Sequence, residues 1–265
     1  MTLIIILISL AALYYIPIVN NETRYHLFHR YAAWLTTWLP TRQMTQAWVM
    51  IAVIILPILV VLAMFCVTLS SLSFGLFGIV INALVLWYCL LPLTASKSNI
   101  GHQQEEASQK VNPYAQITVE QADDCDDKQR FCHANDRTFA VLFWFVILGG
   151  FGAVLYRLIA LLACMSEGNA SYFKSTAKLI QQVLDWLPAR LLGLTYLIVG
   201  NFTAGFSAWI QHLLQGLDYN QTLLMDAGEA AWGPAEKNNA KSLIERALIV
   251  WLVIIAIFII GAWLY

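Results

Sequence analysis

One uncharged run limits what this chain can fold into more than any other feature. Between Arg42 and Lys97 there are 54 consecutive residues without a formal charge. A helix needs about 20 apolar residues to cross the hydrocarbon core of a bilayer, so the run is long enough for two crossings. The serine-rich segment 70–73 divides it naturally. We therefore predict two membrane helices, at about 47–69 and 74–93, joined as a tight hairpin.

The composition agrees with a membrane environment. Hydrophobic residues make up 60% of the chain and charged residues 12%, whereas a soluble domain has roughly 45–50% apolar and about 25% charged residues. A body of this size needs more charge than that for a water-soluble surface. The net charge of −1 lacks the basic surplus of a nucleic-acid binder. We expect an integral membrane protein without a nucleic-acid partner.

Four further apolar segments extend the prediction. Thr138–Cys164 and Ala247–Tyr265 read as membrane helices. Leu3–Val19 has no basic residue before it and no small-residue cleavage signature after it, so we expect an uncleaved helix. Leu191–Leu217 is uncharged but rich in glycine, and it either crosses or lies half-buried against the bundle. The predicted fold is all-α: one integral membrane domain, 1–265, a polytopic helical bundle of four transmembrane helices and up to two more.

Amphipathic interfacial helices are expected beside these spans. Asn21–Leu39 reads as a basic, aromatic helix suited to the headgroup region, so membrane lipid is an expected partner. In 174–190, apolar residues recur at intervals of three and four, which predicts a helix packed on its apolar face. Because proline costs an interior helix about 3 kcal/mol, we expect the chain to bend at Trp186-Leu187-Pro188.

The distribution of Lys and Arg predicts an orientation. If all six segments cross and the N-terminus is outside, eleven of the fifteen Lys and Arg residues lie in the inner loops. The positive-inside rule then favours this arrangement. We expect a multi-pass protein whose central polar loop, 96–137, is cytoplasmic.

Metal sites are considered at three places. Four carboxylates within 123–127 suit Mg²⁺ beside a phosphate, but a solvated acidic loop is the simpler interpretation. His26 and His29 lie one helical turn apart, with no further ligand nearby in the sequence. The spacing of Cys125 and Cys132 matches no usual short zinc chelate. We therefore favour a protein with no metal site and no cofactor.

Two arginines lie at apolar boundaries. Arg157 lies inside the run 139–163, where a charge must snorkel, pair or line a cavity. Arg190 would fall in the first turn of a new helix, where the dipole disfavours a cation, so we expect a compensating anion. Guanidinium groups bind carboxylates and phosphates bidentately. These observations predict a site for an anionic small molecule, with Asp185 orienting Arg190.

The chain resembles the AmpE proteins of Gram-negative bacteria. Segment 138–157, which ends Gly-Ala-Val-Leu-Tyr-Arg, and segment 183–201, which contains Asp-Trp-Leu-Pro-Ala-Arg, carry the resemblance most strongly. Gly-Glu-Ala-Ala-Trp-Gly at 228–233 follows in the expected order. The resemblance implies an inner-membrane regulatory and signalling protein of β-lactamase induction and the antibiotic response. Proteins of peptidoglycan recycling are its implied partners.

AmpE proteins are similar in turn to the CobD/CbiB group, membrane proteins that attach an aminopropanol unit during cobalamin synthesis. The shared core is the helix ending at Arg157 and the segment 185–190. This sequence lacks the downstream Pro-Ser-Pro-Asn-Ser-Gly segment of the synthases. It also shows no common catalytic motif and no inverted repeat of a transporter.

Two function hypotheses follow from these resemblances. Our main hypothesis is an AmpE-type regulatory protein without catalysis of its own. The alternative is a membrane enzyme or anionic-ligand-binding protein of CobD/CbiB descent, with an amide-forming, ligase-like activity if it is an enzyme. The candidate ligand-binding residues are Arg157, Asp185, Arg190 and Asn201.

Overall fold

The computed structural model describes residues 2–15, 28, 30–32, 34, 44–72, 76–90, 127–164, 171–232 and 240–264. All elements within these ranges are helical, and the described residues contain no strand. They include a five-residue π-helical segment, Asn135–Phe139, and a 3₁₀ turn, Leu217–Tyr219. The α-helices are α1 (Thr2–Tyr15), α2 (Met44–Leu72), α3 (Leu76–Leu90), α4 (Asp127–Ala134), α5 (Ala140–Leu148), α6 (Gly150–Cys164), α7 (Ser171–Val199), α8 (Phe202–Leu213), α9 (Asn220–Trp232) and α10 (Ala240–Leu264).

Two of the described helices are long and apolar enough to cross a membrane. Their apolar stretches are Ala47–Met64 in α2 and Ala240–Gly261 in α10. Both expose large apolar side chains, among them Val61 and Phe258, as a surface in contact with lipid would. Helices α1, α3 and α6 contain apolar stretches of 10–17 residues. The chain is thus helical with two candidate spans, and crossing by four or six helices stays a prediction.

The predicted span Thr138–Cys164 is divided in the structure. Gly149 has φ of 67° and ψ of −153°, a region that essentially only glycine adopts. It separates α5, with 9 residues, from α6, with 15. A Cβ at Gly150 would lie 2.7 Å from Oδ1 of Asn82 on α3, so the glycines also permit close packing. The expectation of one continuous helix is wrong because the chain changes direction at Gly149.

Helix α7 is continuous through Pro188, so the proline does not end the helix or start a new one, although the cost of an interior proline suggests that it would. A proline has no N–H to donate to the carbonyl four residues earlier, which here is Leu184. The indole N–H of Trp144 on α5 donates to that Leu184 oxygen at 3.2 Å. A tertiary hydrogen bond therefore replaces the missing helical one, and the helix continues to Val199.

The middle part of α7 has polar side chains on its buried face. Ala177 is buried, as the predicted apolar face requires, but Gln181 and Asp185 are buried as well. Val183 and Leu187 are instead 54% and 43% exposed. Polar residues that face the interior while apolar ones face outward are typical of helices in apolar surroundings. The result is a polar surface inside the protein.

Helices α6 and α7 form the centre of the described structure. α6 is buried from Tyr156 to Ala163 and contacts α2, α3, α5 and α7. α7 also contacts α2, α8, α9 and α10, while α9 packs against α4. Residues 127–137, predicted as the end of a polar loop, are helical because Phe131 and Asn135 are buried in these contacts. This packing brings the π-helical segment against α7.

Some predictions fall outside the described residues. They concern most of the interfacial helix Asn21–Leu39, including His26 and His29. They also concern residues 91–126, which hold most of the central loop and all but the last residue of the acidic segment 123–127. Among the described residues, no three His, Cys, Asp or Glu side chains form a group that could hold a metal ion.

Candidate ligand-binding site

Two carboxyl groups meet where the π-helical segment packs against α7. The amide Nδ2 of Asn135 donates to Oδ1 of Asp136 at 3.2 Å and to Oδ1 of Asp185 at 3.3 Å. The hydroxyl of Tyr156 on α6 donates to the same oxygen of Asp185 at 2.7 Å. The Asn135 amide thus bridges the two carboxyl groups, and we refer to Asp136 and Asp185 as the carboxyl pair.

An irregular turn carries one member of the pair. Asn135–Phe139 is π-helical, with a wider turn than an α-helix, and such turns are frequent at functional sites. They change the direction in which the following side chains leave the helix. In this segment Asn135 and Phe139 are both buried, and Asn135 reaches both carboxyl groups.

Burial raises the pKa of both carboxyl groups. It raises the pKa of Asp136 to about 7, against the opposing effects of the hydrogen bond from Asn135 and the positive charge of Arg157. Burial, together with the neighbouring charge of Asp136, raises the pKa of Asp185, and the hydrogen bond from Tyr156 opposes this. Two carboxylates in one buried site disfavour each other's ionisation. The pair therefore titrates as one unit and holds a proton near neutral pH.

Two amide side chains beside the pair retain unused hydrogen-bonding capacity. Gln181, one turn before Asp185, is 1% exposed, and its hydrogen bond to Asp185 lowers the pKa of that carboxyl group. Among the described residues, neither its Oε1 nor Oδ1 of Asn135 has a hydrogen-bond partner. A buried polar group without a partner costs about 1–3 kcal/mol. Asn135 also lines the cavity beside the pair, so its Oδ1 is suited to contact a bound polar molecule.

A polar cavity of about 270 Å³ adjoins the pair. The carboxyl pair forms part of its wall, and Lys178, an exposed residue of α7, also lines it. The cavity is therefore lined by the carboxyl pair, which is negative when ionised, and by the positive charge of Lys178. The remaining lining residues are Cys132, Asn135, Gln182, Leu217, Asp218, Asn220, Gln221 and Leu224.

Arg157 lies inside the protein beside the pair. It is 3% exposed, which excludes a snorkelling side chain. Its charge lowers the pKa of Asp136, so it partly balances the negative charge of the ionised pair. The structure therefore brings Arg157 and Asp185, two of the predicted site residues, into one region.

Arg190 has other partners than the expected anion. Its Nε donates to the carbonyl of Leu213 at 2.9 Å, and its Nη2 to that of Gln215 at 2.9 Å. Its Nη1 donates to the carbonyl of Trp186 at 2.9 Å and to Oδ1 of Asn220 at 2.7 Å. No hydrogen bond joins Arg190 to Asp185 in the described structure. Asp185 does not orient Arg190, because the guanidinium already donates to the carbonyl groups of Leu213 and Gln215.

Asn201 lies at the start of α8, away from the carboxyl pair. Its Oδ1 accepts hydrogen bonds from the backbone N–H of Ala204 at 3.3 Å and the hydroxyl of Thr203 at 2.9 Å. This is the geometry of an N-cap. Its backbone N–H donates to the carbonyl of Ala231 at 2.8 Å, so Asn201 joins α8 to α9.

The sequence reasoning missed several residues of this region. Asp136, Asn135 and Tyr156 were not selected, although Asn135 and Asp136 directly precede an apolar run and Tyr156 precedes Arg157. Gln181 lies four residues before Asp185 and therefore on the same helix face. In the sequence both residues lie off the apolar face of 174–190, and periodicity alone does not distinguish solvent from a polar cavity.

Comparison with known proteins supports one part of the resemblance. The chain is 39% identical over 104 residues to a cobalamin biosynthesis protein CobD of Chromobacterium violaceum. The matched segment covers 38% of this chain and 33% of that protein. It is 35% identical over 104 residues to a CobD protein of Stutzerimonas stutzeri, with 38% and 34% covered. The match thus spans about a third of the relatives' length. No family model and no solved structure matches.

These matches establish distant homology to CobD cobalamin biosynthesis proteins over part of the chain. Together with the apolar helices, they indicate a membrane protein. They do not support the AmpE assignment, and the role in β-lactamase induction is therefore a proposal. The inner membrane and the cytoplasmic central loop also stay predictions.

Proposed function

We propose that this chain is a membrane protein of CobD descent that binds a small polar molecule in the cavity beside Asp136 and Asp185. The observation that carries the proposal is the bridged, buried carboxyl pair at a polar cavity. Binding sites typically combine a concave pocket with a few convergent polar groups and perturbed pKa values. The homology to CobD proteins supports a ligand related to cobalamin biosynthesis.

The polar groups favour a ligand that carries an amine. An ammonium group provides three N–H donors, and the carboxyl pair with the amide oxygen of Asn135 provides acceptors. Once the pair has lost its proton, the ligand's positive charge, together with that of Arg157, compensates the two negative charges. An anionic part of the same ligand would meet Lys178. The proposed contacts are therefore with Asp185 and Lys178, whereas Arg190 and Asn201 hold neighbouring backbone in place.

Titration calorimetry on the full chain in detergent tests this proposal. The probe is 1-amino-2-propanol, which carries the unit that the CobD/CbiB resemblance implies, and 1,2-propanediol is the control without the amine. We expect heat of binding from the amine only. Asp185→Asn should weaken this binding at least about tenfold, because a charge-assisted hydrogen bond contributes roughly 1.5–3 kcal/mol. Glu229→Gln, which removes an exposed carboxyl group, should leave it unchanged.

Two results would contradict the proposal. Equal binding of the diol would show that the carboxyl pair does not select an amine. Unchanged affinity in a folded Asp185→Asn protein would place the ligand elsewhere. Complementation of a bacterium that lacks its own CobD gene tests catalysis separately: restored cobalamin-dependent growth would show that the amide-forming activity is retained.

An AmpE-type regulatory function is the second candidate. It is supported by the order of the resembling segments along the chain and by the missing Pro-Ser-Pro-Asn-Ser-Gly segment. Deletion of the gene, followed by measurement of β-lactamase induction and muropeptide pools during β-lactam exposure, tests it. Altered induction that the intact gene restores would support regulation. Unchanged induction and pools would exclude it, whatever the calorimetry shows.

A further inference from the structure

The outer face of α8 carries an apolar stripe. Phe202, Phe206, Ile210 and Leu214 follow one another at four-residue intervals, and all four are exposed. The rings of Phe202 and Phe206 stack with centroids 5.3 Å apart, and Trp209 lies 6.2 Å from Phe206. Single exposed apolar residues are common, whereas a continuous patch marks an interaction surface.

A polar stripe runs beside the apolar one. Thr203, Ser207 and Gln211 recur at the same interval and are exposed, and residues 191–217 include no charge. Adjacent apolar and polar stripes are typical of helices that lie in the plane of a membrane interface. With 12 residues, α8 is about 18 Å long, which is shorter than the hydrocarbon core of about 30 Å.

Contacts of α7 place α8 near the candidate span α10. The indole N–H of Trp251 donates to Oγ1 of Thr195 at 3.0 Å, and Trp251 lies within the apolar stretch Ala240–Gly261. α8 packs antiparallel to this half of α7, since the indole N–H of Trp209 donates to the carbonyl of Arg190 at 3.1 Å. Packed helix axes lie about 8–10 Å apart. Where α10 crosses a bilayer, α8 is therefore close to lipid.

We propose that the apolar stripe of α8 contacts phospholipid acyl chains while its polar stripe faces the headgroup region. Lipid is favoured over a protein partner because the surface carries no charge and lies one helix away from a candidate span. The segment 191–217, for which the sequence left two arrangements open, then enters the interface without crossing. Arg190 binds the carbonyl groups of both Leu213 and Gln215, which holds the two ends of the segment together.

Photocrosslinking in nanodiscs of phosphatidylethanolamine and phosphatidylglycerol tests the proposal. The photoreactive residue is introduced by Ile210→p-benzoylphenylalanine or by Phe206→p-benzoylphenylalanine. Both positions are exposed, so neither change removes buried packing. Thr222→p-benzoylphenylalanine, at an exposed position of α9, is the matched control. After irradiation, intact-protein mass spectrometry should show several-fold more phospholipid adduct at 210 and 206 than at 222.

Two outcomes would overturn the proposal. Equal lipid adducts at positions 210, 206 and 222 would show that the stripe has no preference for lipid. Crosslinks from 210 and 206 to a second copy of this chain would show that the stripe is a protein interface. Neither outcome bears on the ligand cavity, because the amine-binding measurement uses other residues.

Discussion

The buried charge of Arg190 is stabilised by neutral oxygen atoms and an aromatic ring. The guanidinium of Arg190 donates four hydrogen bonds to carbonyl and amide oxygens and lies 4.3 Å from the centre of the Trp186 ring. The oxygen of Leu213 belongs to the last residue of α8, where the helix dipole is negative, and Gln215 follows two residues later. Asn220 also donates to the carbonyl of Gln182 at 2.8 Å. Arg190 thereby holds a wall of the ligand cavity.

Arg190→Lys should destabilise the folded protein. Lysine keeps the charge but has no planar fork, so several oxygens lose their donor. We expect the free energy of unfolding to fall by about 2–4 kcal/mol, measured by denaturant titration in detergent. Arg246→Lys, at an exposed position, should have little effect. Equal stability of the two variants would show that the Arg190 contacts contribute nothing specific.

A second residue-scale prediction concerns pH. Because burial raises the pKa of Asp136 to about 7 and also raises the pKa of Asp185, the native state keeps protons that the unfolded chain releases near pH 4. Stability should therefore fall by at least roughly 1 kcal/mol per pH unit between about pH 4 and 7. The melting temperature measured across this range checks the expectation.

Asp136→Asn should reduce that pH dependence, since the neutral amide cannot lose a proton and only Asp185 of the pair still titrates. The variant should consequently melt higher than the wild type at alkaline pH. Glu229→Gln removes a carboxyl from an exposed ion pair with Lys128 and should leave the pH dependence in place. A steep dependence that persists in Asp136→Asn would assign the titration to another group.

At the scale of elements, tertiary contacts override local helix signals. Pro188 is a strong local breaker, yet α7 continues because Trp144 supplies a donor to the carbonyl of Leu184. Gly149 is a much weaker signal, yet the helix breaks there with φ of 67°. The sequence predicts that these segments are helical, but it does not predict which helix is continuous.

Helix α7 provides an element-scale prediction. Trp144→Phe should lower the free energy of unfolding by about 1 kcal/mol, because the carbonyl of Leu184 loses its donor. In a Pro188→Ala background the same change should cost less, because residue 188 then has its own N–H to donate. A double-mutant cycle measures this coupling. Additive effects would show that the two residues do not share the Leu184 carbonyl.

At the scale of the whole molecule, the charge-free run identifies the environment of the chain. α2 and α10 are long and apolar enough to span a bilayer, and α7 exposes apolar side chains while it buries Gln181 and Asp185. The outward surface therefore suits lipid, and the polar groups are gathered inside. How many of the other predicted segments cross is a question of tilt and packing that length and composition do not answer.

The whole-molecule prediction is retention in the membrane. After expression of the full chain, an alkaline carbonate wash should leave the protein in the membrane pellet, because at least α2 and α10 are held by apolar contact with lipid. A resident integral protein and a peripheral protein serve as controls. Release with the peripheral control would show that the two apolar helices are packed inside a soluble assembly.

The sequence by itself determined the helical class and the apolar environment, because both follow from local properties. The length of the uncharged run between Arg42 and Lys97 and the spacing of its apolar residues can be read from the sequence without knowledge of any contact. The boundary near residues 70–73 is visible for the same reason, and in the structure α2 ends at Leu72 and α3 begins at Leu76.

Only the tertiary structure decided which polar residues form the site. Asp136 and Asp185 are 49 positions apart, and nothing local connects them until Asn135 bridges both carboxyl groups. The same applies to Arg190, whose partners on α8 and α9 lie 23–30 positions away. A buried polar group must find partners wherever the fold brings them. Hydrophobic periodicity therefore identifies the helices, whereas long-range packing selects the residues that meet.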